Sequence, residues 1–449
     1  MYDTTAFNLT MMYGIEAVTV PSNLEIGLKE WSPQNISIKT NPEAIIWAVD
    51  GVDDNSVAFA ARLMEKGIEV RIIDKEALLS KQTLSRGSIA VLAMDNPEYE
   101  DLSETVNSIV TDLDISVLSI ESGFGAEELP DWGGRHFRLL ERPQIAILSQ
   151  SGFSSYDVGV SWWSLDHHLG IRHSQIDASL VNYADLRRYN TIILPSGYRD
   201  MGEYEKKVLS DWMEQGGTLI AHAASSSALA SEQGIGSVKL LQNTFEKSEK
   251  YNISLQRELS AIYEELDIES VNSNKVDLDT AYPWEQSEGK YPPFQLEYRD
   301  DWQSIFMPSG AFVSGRTDQE HWLTFGTNST LPLLYRSYPV LMSDDSSEAP
   351  IRVGVFSDSA KANTYSTINW SDIPPGKELN VRMSGLLWPE AAQRIANSAY
   401  LTRDRIGKGQ LILFSGEPNF RGATLGTNRV WLNAVVYGAG LGTEPRINP

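Results

Sequence analysis

The residues best placed for nucleophilic chemistry follow a short apolar run at positions 218–221. His222 comes directly after this run, and Ser225, Ser226 and Ser227 follow it. In parallel α/β proteins, a sharp strand-to-helix turn presents a nucleophilic Ser or Cys, with a histidine as its base. The flanking glycines that tolerate such a strained turn are absent here. Two interpretations stay open: a serine nucleophile assisted by His222, or serines that cap the following helix.

Other kinds of catalytic site find little support in the sequence. The chain has six histidines and no cysteine. Because no H-x-x-E or H-E-x-x-H spacing occurs, we expect no metal site and no cofactor. The Gly-x-Gly motifs at 123–125 and 438–440 do not join a strand to a helix, which excludes a typical dinucleotide loop. The lack of cysteine also excludes disulfides and a thiolate nucleophile.

A glycine-containing stretch near the carboxyl end forms a second candidate binding site. Asn419 and Arg421 precede Gly422, and Arg429 opens a final apolar helix. Glycine allows a close approach to the backbone, and a guanidinium can hold a carboxylate through two hydrogen bonds. The alternative is structural, with Arg421 anchoring its own loop through a carboxylate or carbonyl groups.

Two α/β patterns must position these residues. In the first pattern, apolar strand-like runs alternate with helix-like segments; the runs are 44–49, 68–73, 88–93 and 115–120, and the helix-like segments are 56–64 and 99–113. Such alternation favours a parallel sheet covered by helices. A Gly- and Pro-containing passage from 123 to 134 breaks the pattern before Pro143 introduces a new strand. We therefore predict a domain boundary near residue 140.

The second pattern repeats this rhythm over the rest of the chain. Its predicted strands are 144–148, 191–195, 218–221, 351–356 and 411–414, and its predicted helices are 161–169, 203–214 and 429–437. From about 240 to 310 the chain lacks a strong apolar period, which favours an insertion over a further domain. The predicted organisation is α/β, with two parallel-sheet three-layer domains at 1–140 and 141–449.

The charge balance excludes several classes of partner. The chain of 449 residues has 60 Asp and Glu against 37 Lys and Arg, a net charge of −23. Phosphate binding draws on clustered cations, so we expect no nucleic-acid partner. No apolar run approaches the roughly 20 residues of a membrane helix, so we expect no membrane insertion. The first residues lack a basic stretch followed by an apolar core, a pattern that predicts no signal peptide.

Several short segments together carry a family resemblance. They lie at 3–10, 12–17, 143–148, 152–156, 194–197, 384–390, 407–414, 418–422, 426–429 and 432–434. These segments resemble the region that follows the catalytic domain in large bacterial zinc carboxypeptidase-like proteins. The second half of that region is similar in fold to class I glutamine amidotransferases. The resemblance implies that Ala223, Ala224 and Ser225 occupy the elbow where an amidotransferase has cysteine.

The resemblance implies a non-catalytic accessory region that positions substrate or assists assembly. Its partners would be an upstream or separate peptidase domain and a peptide or glycan, and homo-oligomers stay open. An exported parent would place the chain in the periplasm or outside the cell, and it would otherwise be cytoplasmic. Two alternatives remain: a serine hydrolase using Ser225, Ser226 or Ser227, and a glycan- or peptide-binding module with exposed aromatic rings near Trp284 and Trp302.

Overall fold

Two sheets organise the chain. The computed structural model describes residues 8–18, 40–41, 43–126, 129–198, 201–263, 292–359 and 366–444. The first sheet ends with a strand at Leu139, and the first strand of the second sheet begins at Ile145. No helix within these ranges is long and apolar enough to cross a bilayer.

The first unit has short strands and two longer helices. After the short helix α1 (Leu9–Tyr13) come β1 (Ile46–Val49), α2 (Ser56–Glu65), β2 (Arg71–Ile73), β3 (Ala77–Leu79), β4 (Gln82–Leu84), β5 (Ile89–Leu92), α3 (Leu102–Leu113), β6 (Leu118–Ile120) and β7 (Phe137–Leu139). The four strands and two helices predicted here from the apolar runs are confirmed as β1, β2, β5, β6, α2 and α3.

The sheet of the first unit is antiparallel, so the predicted parallel sheet is wrong. Its strand order is β6-β1-β5-β2-β7, and every neighbouring pair is antiparallel. Helices α2 and α3 do link parallel strands, but a third strand lies between the members of each pair. The physical reason is the β3–β4 hairpin, which returns the chain beside β2 without a crossover helix. The result is the split β-α-β-β-α-β arrangement.

The second unit contains the remaining elements. They are β8 (Ile145–Ser149), α4 (Ser155–Trp163), β9 (His173–Asp177), β10 (Thr191–Leu194), α5 (Glu203–Glu214), β11 (Thr218–His222), α6 (Ala223–Leu229), β12 (Lys239–Leu240), α7 (Ser248–Tyr263), α8 (Pro293–Ser304), β13 (Ala311–Thr317), β14 (Thr330–Tyr335), β15 (Leu341–Met342), β16 (Glu348–Val353), β17 (Val355–Asp358), β18 (Ser366–Ile368), β19 (Ser371–Ile373), β20 (Lys377–Asn380), β21 (Arg382–Ser384), α9 (Pro389–Ile395), β22 (Ala399–Ile406), β23 (Gly409–Phe414) and α10 (Asn428–Leu441). A π-helical turn, Ser164–Leu169, continues α4.

The large sheet of this unit is mixed. Strands β9, β8, β10, β11 and β23 lie side by side and are parallel. Four of them, β8, β10, β11 and β23, are among the predicted strands, whereas β9 was not predicted. Beyond β23, strands β22, β16, β13 and β14 are antiparallel, so a wholly parallel sheet is wrong. The chain order of the parallel strands, 2-1-3-4-5, is that of a doubly wound fold. Such sheets bind ligands at the carboxyl ends of their strands, which directs attention to the end of β11.

Helix α10 lies between the two units. It contacts β10 and β11 of the second unit and α2 of the first. Residues of α10 such as Val435 share one hydrophobic cluster with Phe59 of α2 and Ile220 of β11. A helix that is apolar all round is expected to be buried, and this explains the long apolar run from 429 to 437.

The predicted insertion packs on the second unit through two helices. Within this insertion, residues Ser248–Tyr263 form helix α7. On α8, the Asp300 carboxylate accepts two hydrogen bonds from Arg394 of α9, at 2.7 and 3.2 Å. Residues 264–291 lie outside the described part of the chain, and Trp284 falls among them.

Candidate functional site

The connection from β11 to α6 forms a strained elbow at the carboxyl edge of the parallel strands. Ala223 occupies the turn with a φ of 45°, in the left-handed region. This conformation costs an L-residue roughly 1–2 kcal/mol, and only glycine adopts it freely. The elbow therefore forms without the glycines expected for it. Because the turn residue has only a methyl group, the elbow position carries no nucleophile.

Two of the three serines bind neighbouring strands instead of facing the elbow. The Ser225 hydroxyl donates to the carbonyl oxygen of Pro195 at 2.6 Å. The Ser226 hydroxyl donates to the carbonyl oxygen of Phe414 at 2.7 Å. Both residues belong to α6, and their side chains are buried. Ser227 is half-buried and lines a cavity. Ser227 is thus the serine that a ligand at the elbow would meet.

His222 is enclosed among aromatic rings. Its imidazole lies 5.6 Å from the Phe414 ring and 6.0 Å from the Trp431 ring, measured between centroids. Complete burial lowers the pKa of His222 to about 3, so the ring is neutral at physiological pH. His222 is not among the residues that line the elbow cavity.

The strain at the elbow leads to a testable pair of variants. We expect Ala223→Gly to raise the free energy of unfolding by about 0.5–1 kcal/mol, since glycine relieves the left-handed strain. The neighbouring Ala224→Gly should lower it by about 0.5–1 kcal/mol, because Ala224 lies within α6 and glycine weakens a helix. Urea unfolding measures both changes. The same sign for both variants would contradict a strained elbow.

A cavity of about 770 Å³ opens at the elbow. Its wall combines α6 with the loops that follow β10 and β14, and with Glu417 after β23. Most of the lining is polar and includes the hydroxyls of Ser196, Ser227 and Ser309. The Tyr198 ring stands almost fully exposed, at 98%. The cavity is suited to a small ligand with several hydrogen-bonding groups.

Glu417 is the titratable group of this cavity whose pKa lies near neutrality. Burial, followed by the like charge of Asp157, raises the pKa of Glu417 to about 7, although Arg336, the Tyr338 hydroxyl and Arg421 oppose the shift. Burial also raises the pKa of Asp157. Glu417 therefore exchanges a proton readily at neutral pH, which is the behaviour of functional carboxyl groups.

The region around Asn419, Arg421 and Gly422 packs against the π-helical turn. Asn419 donates a buried hydrogen bond to the Ser164 hydroxyl at 3.0 Å. Arg421 has a φ of 54°, and its guanidinium lies 5.0 Å from the centre of the Phe420 ring. Gly422 has a φ of 65°, in the left-handed region that favours glycine, and a side chain there would lie in ordinary contact with the Trp163 ring, 3.6 Å away. Two of these contacts anchor the loop, and Arg421 remains exposed beside Phe420.

Arg429 points to a different place, the junction of the two units. Its guanidinium donates to the carbonyl oxygens of Gly51 at 2.9 Å and Asp53 at 2.7 Å, and to the Ser56 hydroxyl at 2.9 Å. A fourth hydrogen bond, of 3.0 Å, reaches the side chain of Asn433. Arg429 is only 5% exposed. These contacts favour the structural alternative for Arg429.

Sequence reasoning missed Glu417 and Arg336 as cavity residues. Glu417 is one of 60 acidic residues, and no spacing distinguishes it. The available signal was its position just after the last parallel strand, at the edge where such sheets bind ligands. Within the described ranges, no group of three or more His, Asp or Glu side chains could hold a metal ion.

Solved structures that match the chain include two proteins described as ThuA-like. One, from Bacteroides uniformis, has 12% sequence identity and a TM-score of 0.30, and the match covers 68% of this chain and 94% of that chain. The other, from Parabacteroides merdae, has 9% identity and a TM-score of 0.33, with 69% and 94% covered. A β-galactosidase from Bacillus circulans has 12% identity and a TM-score of 0.32, with 69% and 33% covered.

No family model and no curated protein sequence matches the chain. Identities and TM-scores as low as those above carry neither a family nor an activity to this protein. The glutamine amidotransferase-like fold and the zinc carboxypeptidase-like parentage therefore stay predictions. The function has to be argued from the elbow cavity itself.

Proposed function

We propose that this chain is a non-catalytic accessory module that holds a small polar ligand in the elbow cavity and positions it for a partner domain. The observation that carries this proposal is the alanine at the strained elbow, directly on the wall of a polar cavity. A site built for nucleophilic catalysis needs a reactive atom at this position, with a base in reach. Here the turn offers a methyl group.

The surroundings of the elbow support binding without chemistry. The His222 ring is neutral and lies outside the cavity. Ser225 and Ser226 use their hydroxyl protons on backbone carbonyls. The cavity nevertheless keeps the location, size and polar lining of a ligand site in an α/β sheet. A peptidase domain, upstream or separate, remains the partner that the sequence resemblance suggests.

Two substitutions at one position test the proposal. Ser227→Phe should fill the cavity and abolish binding, whereas Ser227→Ala keeps the space and should preserve binding. Saturation-transfer NMR with a panel of dipeptides and disaccharides measures binding. The same samples are incubated with peptide and glycoside substrates and with a fluorophosphonate probe, and we expect no turnover and no labelling.

The serine hydrolase is the direct competitor in this experiment. Turnover or covalent labelling that is lost in Ser227→Ala would establish Ser227 as a nucleophile and overturn the accessory role. Turnover that survives Ser227→Ala would also overturn it, since chemistry would then come from another group. Absence of binding to the whole panel by the wild-type chain counts against the proposed ligand site.

A glycan-binding face on α8 is a second candidate. Phe294, Tyr298 and Trp302 recur at four-residue spacing and are 67%, 76% and 55% exposed. Such spacing places the three rings on one face of the helix, where sugar rings can stack on them. Loss of oligosaccharide binding in Trp302→Ala, with binding retained in Ser227→Phe, would assign the glycan to α8 instead of the cavity.

A further inference from the structure

We propose that the elbow cavity recognises its ligand through a carboxylate, which the guanidinium of Arg336 receives, and that Glu417 takes up a proton as this anion binds. The inference rests on the proposed function and specifies the chemical class of the ligand. It is carried by a cation on the cavity wall, Arg336, whose terminal nitrogens have no hydrogen-bond partner among the residues that the structure describes.

Arg336 is held in place but is not neutralised. Its Nε donates to the carbonyl oxygen of Ser309 at 3.3 Å, and its guanidinium lies 5.1 Å from the centre of the Phe420 ring. Across the described ranges, no carboxylate comes within 4.0 Å of it. A fixed, half-buried guanidinium with free terminal N–H groups is a receptor for the two oxygens of a carboxylate.

The other cations on this wall are already engaged. Arg394 makes the two hydrogen bonds with Asp300 described above. Lys206 donates to the Glu203 carboxylate at 3.2 Å and to the carbonyl oxygen of Gln233 at 3.1 Å. Arg336 is therefore the group of this wall that can pair with a ligand anion without giving up an ion pair.

The acidic neighbours select a single negative charge. Asp157 lies close enough to raise the pKa of Glu417, and both carboxyl groups interact electrostatically with Arg336. A dianion such as phosphate would meet this repulsion with only one guanidinium to offset it. A carboxylate carries one charge and matches the guanidinium fork, while the serine hydroxyls serve the uncharged part of the ligand.

Proton uptake follows from the charges around Glu417. Asp157, Arg336, Arg421 and the hydroxyls of Tyr338 and Tyr400 face it, and Lys206 and Arg394 lie on the same cavity wall. A bound anion adds negative charge and so raises the pKa of Glu417 above its resting value of about 7. Binding should therefore strengthen as the pH falls from 8 to 6.

Two natural sources share this chemistry, a uronic acid and the carboxyl terminus of a short peptide. The probes are D-glucuronate and N-acetylglycylglycine, each compared with its uncharged amide by calorimetry at pH 6 and pH 8. We expect at least one acid to bind about tenfold more tightly than its amide. The acid that shows this preference identifies the source.

Variants separate the roles of the two residues. Arg336→Gln should weaken binding of the acid about tenfold or more, and Arg336→Lys should give an intermediate loss because it keeps the charge but not the fork. Arg187→Gln removes an exposed arginine outside the cavity and should leave affinity unchanged. Glu417→Gln should remove the difference in affinity between pH 6 and pH 8. Thermal unfolding of each variant verifies that it is folded.

Several results would overturn this inference. They are equal binding of acid and amide, unchanged affinity in folded Arg336→Gln, or no binding of either acid. The carboxylate inference can fail while the proposed function stands. This is the case if the wild-type chain binds neutral ligands of the panel and Ser227→Phe abolishes that binding. Turnover of a substrate would instead remove the proposed function, whatever the role of Arg336.

Discussion

Replacing Arg429 with methionine is expected to lower the free energy of unfolding by about 2–4 kcal/mol, the largest single effect we predict. Methionine fills a similar volume but leaves the buried carbonyl group of Gly51 and the partly buried carbonyl group of Asp53 without their donor. The hydrogen bonds of Arg429 join α10 to the loop between β1 and α2, so their loss also loosens the contact between the two units.

The packing of Gly326 supports this expectation independently. Its φ is 75°, and a side chain there would begin 2.5 Å from Nη2 of Arg429 and 2.3 Å from the carbonyl oxygen of Gly51. The backbone thus approaches the guanidinium more closely than any other residue type allows. The junction is built around the planar Arg429 side chain, and lysine could not replace its fork.

Urea unfolding followed by fluorescence and circular dichroism measures the effect of Arg429→Met. Arg421→Met is the matched control, because Arg421 is exposed and the same substitution should cost less than about 1 kcal/mol. Limited proteolysis should cut Arg429→Met faster between the two units. A loss below 1 kcal/mol for Arg429→Met would show that the junction does not depend on this residue.

The sequence predicts individual elements better than their pairing. Helix α5 has the same bounds, 203–214, in the prediction and in the structure, because its apolar residues recur at helical spacing and Gly216 follows it. The direction of β5 was not predictable in this way. It depends on the hairpin formed by β3 and β4, whose three-residue strands are too short to show a period.

The candidate site was predictable in its location but not in its chemistry. A strand followed by a helix at position 222 indicates an elbow, and the structure places a strained turn at Ala223. The carbonyl oxygens that accept hydrogen bonds from Ser225 and Ser226 belong to Pro195, just after β10, and to Phe414 of β23, both distant in the sequence. Arg336 and Glu417 are likewise distant in the sequence. They lie close together only because the antiparallel strands extend the sheet.

Two buried groups should make stability depend on pH in opposite directions. His222 has a pKa of about 3 in the folded state against 6.5 when exposed. Below pH 6.5 the unfolded chain therefore binds a proton that the folded chain does not, and stability falls by about 1.4 kcal/mol per pH unit. The contribution of His222 is fully present above pH 6.5 and is lost as the pH falls.

Glu417 acts with the opposite sign. Its pKa is about 7 in the folded state against 4.5 when exposed. As the pH falls from 7 to 5 the folded chain takes up the proton first, and stability rises by about 1 kcal/mol per pH unit on average, because the folded group is already half protonated at pH 7. Asp157, whose pKa is also raised, adds to the same trend.

In the wild-type chain these two slopes largely cancel between pH 7 and pH 5, and single variants should reveal each of them. Glu417→Gln removes the larger contribution that opposes His222 and leaves the smaller one of Asp157, so acid should destabilise this variant by up to about 2 kcal/mol more at pH 5 than at pH 7. His222→Phe keeps an aromatic ring beside Phe414 and Trp431. It removes the larger contribution that opposes Glu417 and leaves the smaller one of His168, whose pKa is also lowered by burial, so acid should stabilise it. Urea unfolding at half-unit pH steps measures both slopes, and the double variant is the control. Each substitution removes one of the two opposing contributions to the pH dependence. If the free energy of unfolding changed with pH in the same direction in both single variants, the pKa shifts assigned to His222 and Glu417 would be wrong.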